Sequence, residues 1–199
     1  MEQKRSRRLY RTLAKFGFEL LTIIAGILIA LFVNNVRERN QDRAVLSLTL
    51  NSLTREFDEN IENINKMQAR LERFRDTLSF YENNTKLSIY DLTTRAPGLG
   101  TSELHTTNWQ ATLSSNSLRL LDFETVNILS KIDSKHQELK DESATLVSII
   151  YSPALYRSDE EGYRYRKILG DWINSYLSNE RELVELYNQF KQVVNTFPK

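Results

Sequence analysis

Few side chains in this sequence have the type and spacing to do chemistry, and the most unusual is a carboxylate. Glu19 stands at the start of an apolar run, one helical turn after Lys15. An acid facing lipid is costly unless it reaches the interface, is protonated or finds a partner. Two readings follow: snorkelling or pairing with Lys15, and an ion- or partner-coupling carboxylate inside a helix assembly. The two histidines lie far apart in the chain. His105, beside Thr106 and Thr107, reads as an ordinary surface group, and His136 falls on a helical seam, where a hydrogen-bonded bundle histidine is preferred to a ligand. Glu56, Asp58, Glu59 and Glu62 form a dense acidic stretch that reads as the solvent face of a long helix. Tyr151, Tyr156, Tyr163, Tyr165 and Trp172 are mixed with Arg157, Arg164, Arg166 and Lys167 around Pro153. That mixture could bind an anion or a glycan, and a well-packed helix corner explains it equally well. There is no HExxH, no phosphate-binding glycine loop, no nucleophile elbow and no cysteine. Neither an enzyme activity nor a cofactor or metal is therefore expected, and disulfides, thiolate chemistry and cysteine zinc sites are excluded.

The element that must position Glu19 is the apolar stretch from Phe16 to Val33. Eighteen helical residues span roughly 27 Å, enough for a bilayer core of about 30 Å if the flanks snorkel. Residues 1–15 carry six bases (Lys4, Arg5, Arg7, Arg8, Arg11 and Lys15) against the single acid Glu2. The downstream flank mixes Arg37, Arg39 and Arg43 with Glu38 and Asp42. This asymmetry predicts a cytoplasmic N-terminus and an external remainder. The run ends Ala30-Leu31-Phe32-Val33-Asn34-Asn35 without a small-x-small cleavage site, so an uncleaved anchor is preferred to a signal peptide. The division expected is a basic cytoplasmic tail (1–15), a transmembrane helix (16–36) and an extracytoplasmic helical bundle (37–199). Gly26 and Ala30 are four apart, a small-xxx-small pair that permits close approach of a second helix. The formal net charge is +1, of which the first fifteen residues supply +5, leaving the rest at −4. That mild acidity argues against nucleic acid as a partner.

Only six glycines and three prolines punctuate 199 residues, and the fold class expected is all-α. Leu46, Leu50, Leu53, Phe57, Asn60, Ile64, Met67, Leu71, Phe74, Leu78 and Tyr81 recur at steps of four and three, a heptad seam broken only by Asn60. Unbroken from Phe16 to Glu82, such a helix would be roughly 100 Å long. Asn60 either selects register in a coiled coil or bonds a facing polar group in a bundle, and the second is preferred. Asn83 onward is loop, with Lys86–Tyr90 as the one run that could pass for a strand. A short helix is predicted over Glu103–Leu113, N-capped by Ser102, with Trp109 in the core. The helical period resumes at Phe123 and runs through Val126, Leu129, Ile132, His136, Leu139, Ser143, Leu146 and Ile150. Ser158-x-x-Glu161 has the form of a capping box opening a last helix. Its stripe is Tyr165, Leu169, Trp172, Tyr176, Asn179, Leu183, Leu186, Phe190, Val193 and Phe197, with Asn179 the lone amide. Three long helices make an antiparallel bundle, the Trp109 helix filling a fourth side.

The order Glu19, a mostly apolar stretch, then Gly26-Ile27-Leu28-Ile29-Ala30-Leu31-Phe32-Val33-Asn34-Asn35 resembles the N-terminal signature of a family of uncharacterised bacterial single-pass membrane proteins. Members typically read Gly-Glu, six apolar residues, Gly-Ile-Leu-Ile-Ala-Leu, two residues, Asn-Asn-Trp. This chain has Phe18 and Val36 in place of the family's Gly and Trp. Trp109-Gln110-Ala111, Leu113-Ser114-Ser115, Leu118 and Leu121 are similar to that family's middle segment, where a Gly often replaces Asn116. The likeness covers the anchor closely and the helical part loosely, and implies no known activity.

The function expected is that of a bitopic protein in the bacterial cytoplasmic (inner) membrane, displaying a periplasmic helical bundle for protein association. Its partners would be the bilayer and either further copies of itself or another membrane protein. Two alternatives stand beside it: an extracytoplasmic sensor or ligand-binding bundle, and an ion-coupled transport or motor accessory subunit working through Glu19.

Overall fold

A computed structural model describes residues 2–196, with side chains from Phe18 onward except Asn116. The fold is all-α, built from α1 (Glu2–Phe80), α2 (Ile89–Arg95), α3 (Thr107–Ser114), α4 (Phe123–Ile150) and α5 (Glu160–Thr196). The chain divides into two compact units, Met1–Ser47 and Leu48–Lys199.

The first unit is the N-terminal part of α1. From Phe18 to Gln41 every side chain is exposed, and Phe18 and Phe32 leave 73% and 70% of their surface uncovered. The mean hydropathy over its best 18 residues is 2.0, long and apolar enough to cross a membrane.

The second unit is a helical bundle. The heptad seam of α1 becomes its core, with Leu53, Phe57, Asn60, Ile64, Leu71 and Phe74 fully buried. Phe57 stacks on Tyr187 with ring centroids 4.5 Å apart and meets Phe190 edge-on at 5.0 Å. α5 runs antiparallel to this part of α1: Asp58 faces Lys191 at 2.6 Å, Glu72 faces Arg181 at 2.9 Å, and Arg166 reaches the carbonyl of Asn84 at 2.9 Å. It is antiparallel to α4 as well, since Lys135 pairs with Glu182 at 2.8 Å while Glu142 lies beside Trp172. Residues 48–80 of α1 and α4 therefore run the same way, and the connection between them must travel back down the bundle.

That return is an extended strap over residues 96–106, followed by α3. It descends α1 in order: Gly98 lies against Arg70, Gly100 against Met67, the Glu103 carbonyl accepts from Asn63, and the His105 peptide pairs with Asn60. At Gly98 the crossing is so close that a Cβ would stand 2.7 Å from the Arg70 carbonyl oxygen. Glycine is required there for space, not for an unusual dihedral angle.

Several local expectations are corrected. Lys86–Tyr90 is not a strand: Ser88 and Asp91 close a capping box that opens α2, burying Ile89 and Leu92 one turn apart. Ser102 does not cap the next helix, which begins later, at Thr107, with no side-chain cap of its own. At α5 the cap is Asp159, accepting the Gly162 amide at 3.0 Å, because the helix begins at Glu160, one residue too late for Ser158 to cap it, and Glu161 pairs with Arg157. Phe123 is 87% exposed instead of opening a seam, since Asp122 N-caps α4 and turns the first helical position outward. Glu56 is also corrected: it is 2% exposed, whereas Asp58, Glu59 and Glu62 are at the surface. Phe197, the last position of the α5 stripe, lies outside the described residues.

Candidate functional site

Two regions hold the residues that could carry function. The first is the apolar helix. Glu19, Gly26 and Ala30 are all exposed, and a Cβ built on Gly26 would meet nothing within 4 Å. Thr22 returns its hydroxyl to the Phe18 carbonyl at 2.8 Å, so its polarity is spent within the helix. The Lys15 side chain, the partner considered for Glu19, lies outside the described side chains.

The second region is a tier of polar side chains inside the bundle, each tying two or more segments together. Asn60 is fully buried. Its Oδ1 accepts the His105 amide at 2.7 Å, and its Nδ2 donates to the His105 carbonyl at 2.8 Å and to the Tyr187 hydroxyl at 3.1 Å. The side-chain amide thus does for the strap what a neighbouring strand would do. His136 Nε2 shares a hydrogen bond with the Tyr187 hydroxyl, 2.5 Å away. Burial pushes the His136 pKa down to about 4, only partly opposed by the charge of Asp133.

Glu56 reaches across from α1 to accept the Asn108 and Trp109 amides at 2.6 and 3.1 Å. It supplies in trans the cap that α3 lacks, at the end of a helix where negative charge is favoured. Trp109 is 3% exposed, and its indole donates to Asp133 at 2.6 Å. Trp172 is 7% exposed, and its indole donates to the Glu142 carbonyl at 3.0 Å. Both buried tryptophans thus have their N–H satisfied.

Glu180 is fully buried and takes the Ser102 hydroxyl, while the Tyr176 hydroxyl accepts the Ser102 amide at 2.9 Å. Burial drives the Glu180 pKa up to about 7 against the hydrogen bond from Ser102. Tyr176 is raised to about 12, again chiefly by burial. Asn179 accepts from Lys135 at 3.1 Å and donates to Glu142 at 3.0 Å, joining α5 to α4. Burial opposes the Lys135 charge, but Glu138 and Glu182 outweigh it and hold the pKa above its ordinary value. A cleft of about 370 Å³ opens beside this tier between the strap and α4, with His136, Lys140 and Tyr176 on its walls.

The structure thus brings Asn60 and His136 into one network through Tyr187 and sets Asn179 in a neighbouring one. Glu180 and Tyr187 escape the sequence reading. A second stripe at steps of four and three, Leu169, Ile173, Tyr176, Glu180, Leu183, Tyr187 and Phe190, lies beside the one chosen and is the signal that locates them. The aromatic and basic residues around Pro153 do not form one patch. Tyr151 and Tyr156 are exposed, Arg157 pairs with Asp159, Arg164 pairs with Glu160, and Arg166 is buried at the end of α1. Among the described residues no group of three or more acidic or histidine side chains is arranged to hold a metal. No family model, no curated protein and no solved structure matches the chain.

Proposed function

We propose that this is a bitopic membrane protein that acts by association, its N-terminal helix crossing the bacterial cytoplasmic membrane and its helical bundle displayed on the periplasmic side. The observation that carries the reading is the apolar stretch of α1: from Phe18 to Val33 no side chain is covered by any other part of the chain. Apolar surface of this extent is covered in solution by lipid or by another protein. The basic residues before it favour the N-terminus inside, and the resemblance of the Gly26–Asn35 stretch to the anchors of bacterial single-pass proteins favours the same membrane. Association is favoured over catalysis because Glu56, Asn60, Tyr187 and Asn179 are engaged as cross-links between segments of the bundle.

The test is topological. With a tag at each end in spheroplasts, external protease should remove the tag after Lys199 and leave the N-terminal one intact. The reverse pattern would overturn the orientation, and loss of both tags from soluble protein would overturn membrane insertion.

A further inference from the structure

Glu180 is a fully buried carboxyl group that, among the described residues, is paired with no cation. Of its two oxygens, Oε1 takes the Ser102 hydroxyl and Oε2 has no partner. Four segments face it: α4 presents Glu142, of the same sign, α1 the neutral Gln68, α5 itself the Tyr176 hydroxyl, and the strap Ser102. Arg181, the next residue of α5, pairs with Glu72 at 2.9 Å. The ionised form of a carboxyl so placed is strongly disfavoured, because burial removes its water and one hydrogen bond alone replaces it.

Three of those segments are long helices that hold their own backbone bonds and share one core. The strap is different: among the described residues, 97–105 make no hydrogen bond to another backbone group. Side chains hold it instead. Tyr176 accepts the Ser102 amide at 2.9 Å, Asn63 donates to the Glu103 carbonyl at 3.1 Å, and Asn60 pairs with the His105 peptide. A segment held in this way opens at a lower free-energy cost than a packed helical core. Ser102 is at once an anchor of the strap and the donor to Glu180, so the strap is the part of the cover over this carboxyl that lifts most easily.

We propose that the strap is a pH-sensitive latch, closed over Glu180 while that side chain keeps its proton and lifted to let the carboxylate reach water once the proton leaves. The direction follows from proton linkage. With the strap closed, burial holds the Glu180 pKa at about 7, and with the strap lifted the hydrated group returns toward 4.5. Opening is therefore least favourable below pH 4.5, grows about tenfold per pH unit above it, and levels off near pH 7 after a rise of up to about 300-fold. His136 shares the wall of the cleft beside Ser102, and its own titration acts in the opposite sense wherever a lifted strap hydrates it. The Glu180 contribution is isolated by comparing the parent with a variant that keeps His136.

The experiment follows amide hydrogen exchange by NMR in the full chain in detergent micelles between pH 4.5 and 7.5. Rates are expressed as protection factors, which removes the intrinsic pH dependence of exchange. The strap is read at the Ser102 and His105 amides, and the core at Leu183 and Tyr187 of α5. Strap amides should be less protected than core amides throughout, because they exchange through a smaller opening. Glu180→Gln, a neutral mimic of the protonated form, should have strap protection close to the parent's at pH 4.5 and up to about 300-fold higher at pH 7. Should that variant fail to fold, His136→Gln decides: with the opposing group gone, its strap protection should fall about tenfold per pH unit from pH 4.5 to 7. Strap amides as strongly protected as the core would mean that the strap opens only with the whole bundle. A ratio between Glu180→Gln and the parent that stays flat with pH, or a flat profile in His136→Gln, would mean that the strap opens without hydrating Glu180. Any of these results would overturn the latch.

Discussion

Two buried titratable groups, 44 positions apart, pull the stability of the bundle in opposite directions as pH changes. His136 stays neutral in the fold, its pKa lowered from 6.5 to about 4, so the unfolded chain binds the extra proton first and stability is lost as pH falls through that window. Glu180 has its pKa raised from 4.5 to about 7, so the folded state holds a proton that the unfolded chain has released, and stability is lost as pH rises through that window. Each shift is worth about 3 kcal/mol at full extent. Between pH 4.5 and 6.5 the two nearly cancel, and unfolding free energy should be close to flat there. Removing either partner exposes the other: His136→Gln should become more stable on acidification across that range, and Glu180→Gln less stable, by up to about 3 kcal/mol. Chemical denaturation at a series of pH values would show it, and parallel profiles in the two variants would refute the opposition. The effects of Asp159, whose pKa is held near 2 by its hydrogen bond from Arg157, belong to more acid conditions. At this scale the sequence was half legible. Asn60 and His136 stand out as polar breaks in an apolar period, whereas Glu180 and Glu56 look like any surface acid, because what buries them is the strap and α3, which pack from elsewhere in the chain.

Helices and strap differ in the same way. α1, α4 and α5 follow from heptad spacing, since an apolar stripe on a long helix has to be covered. The strap carries no period, and its path depends on contacts with α1 that only the assembled bundle provides. Ser102 shows why its helix boundary was misread: serine before a helical stretch is a good cap in isolation, but here its hydroxyl serves Glu180 and its amide serves Tyr176. The closest point of the strap gives the sharpest test. Gly98→Ala places a methyl 2.7 Å from a backbone oxygen, which cannot give way like a flexible side chain. It should destabilise the bundle by about 1 to 3 kcal/mol. Gly170→Ala, with open space around its Cβ, should instead stabilise by about 0.5 to 1 kcal/mol. Denaturant midpoints of the two variants on either side of the parent would verify the strap's close approach, and equal midpoints would contradict it.

Among the described residues every buried apolar side chain lies at Leu50 or beyond, in the second unit. A chain starting at Arg43 should accordingly be soluble and strongly helical by circular dichroism. Within it, Trp109→Ala and Trp172→Ala should each cost about 3 to 5 kcal/mol, the range for removing a large buried aromatic side chain. Losses below about 0.5 kcal/mol at both sites would mean that neither is in the core. In the first unit the described side chains from Phe18 to Val33 are all exposed. Glu19, Gly26 and Ala30, separated by seven and four residues, fall on one side of a helix with about 3.6 residues per turn. On that face the small residues would let a neighbouring backbone come close, and the neighbour would shelter the carboxylate from lipid. Lipid alone would cover the other apolar residues equally well, so only substitutions on this face separate a docked helix from a bare anchor. Gly26→Leu and Glu19→Leu should both reduce cross-linking between membrane helices in native membranes, while Leu28→Ile, on another face, should leave it unchanged. Equal cross-linking in all three variants would mean that the helix serves only to anchor the chain, and that association belongs to the bundle.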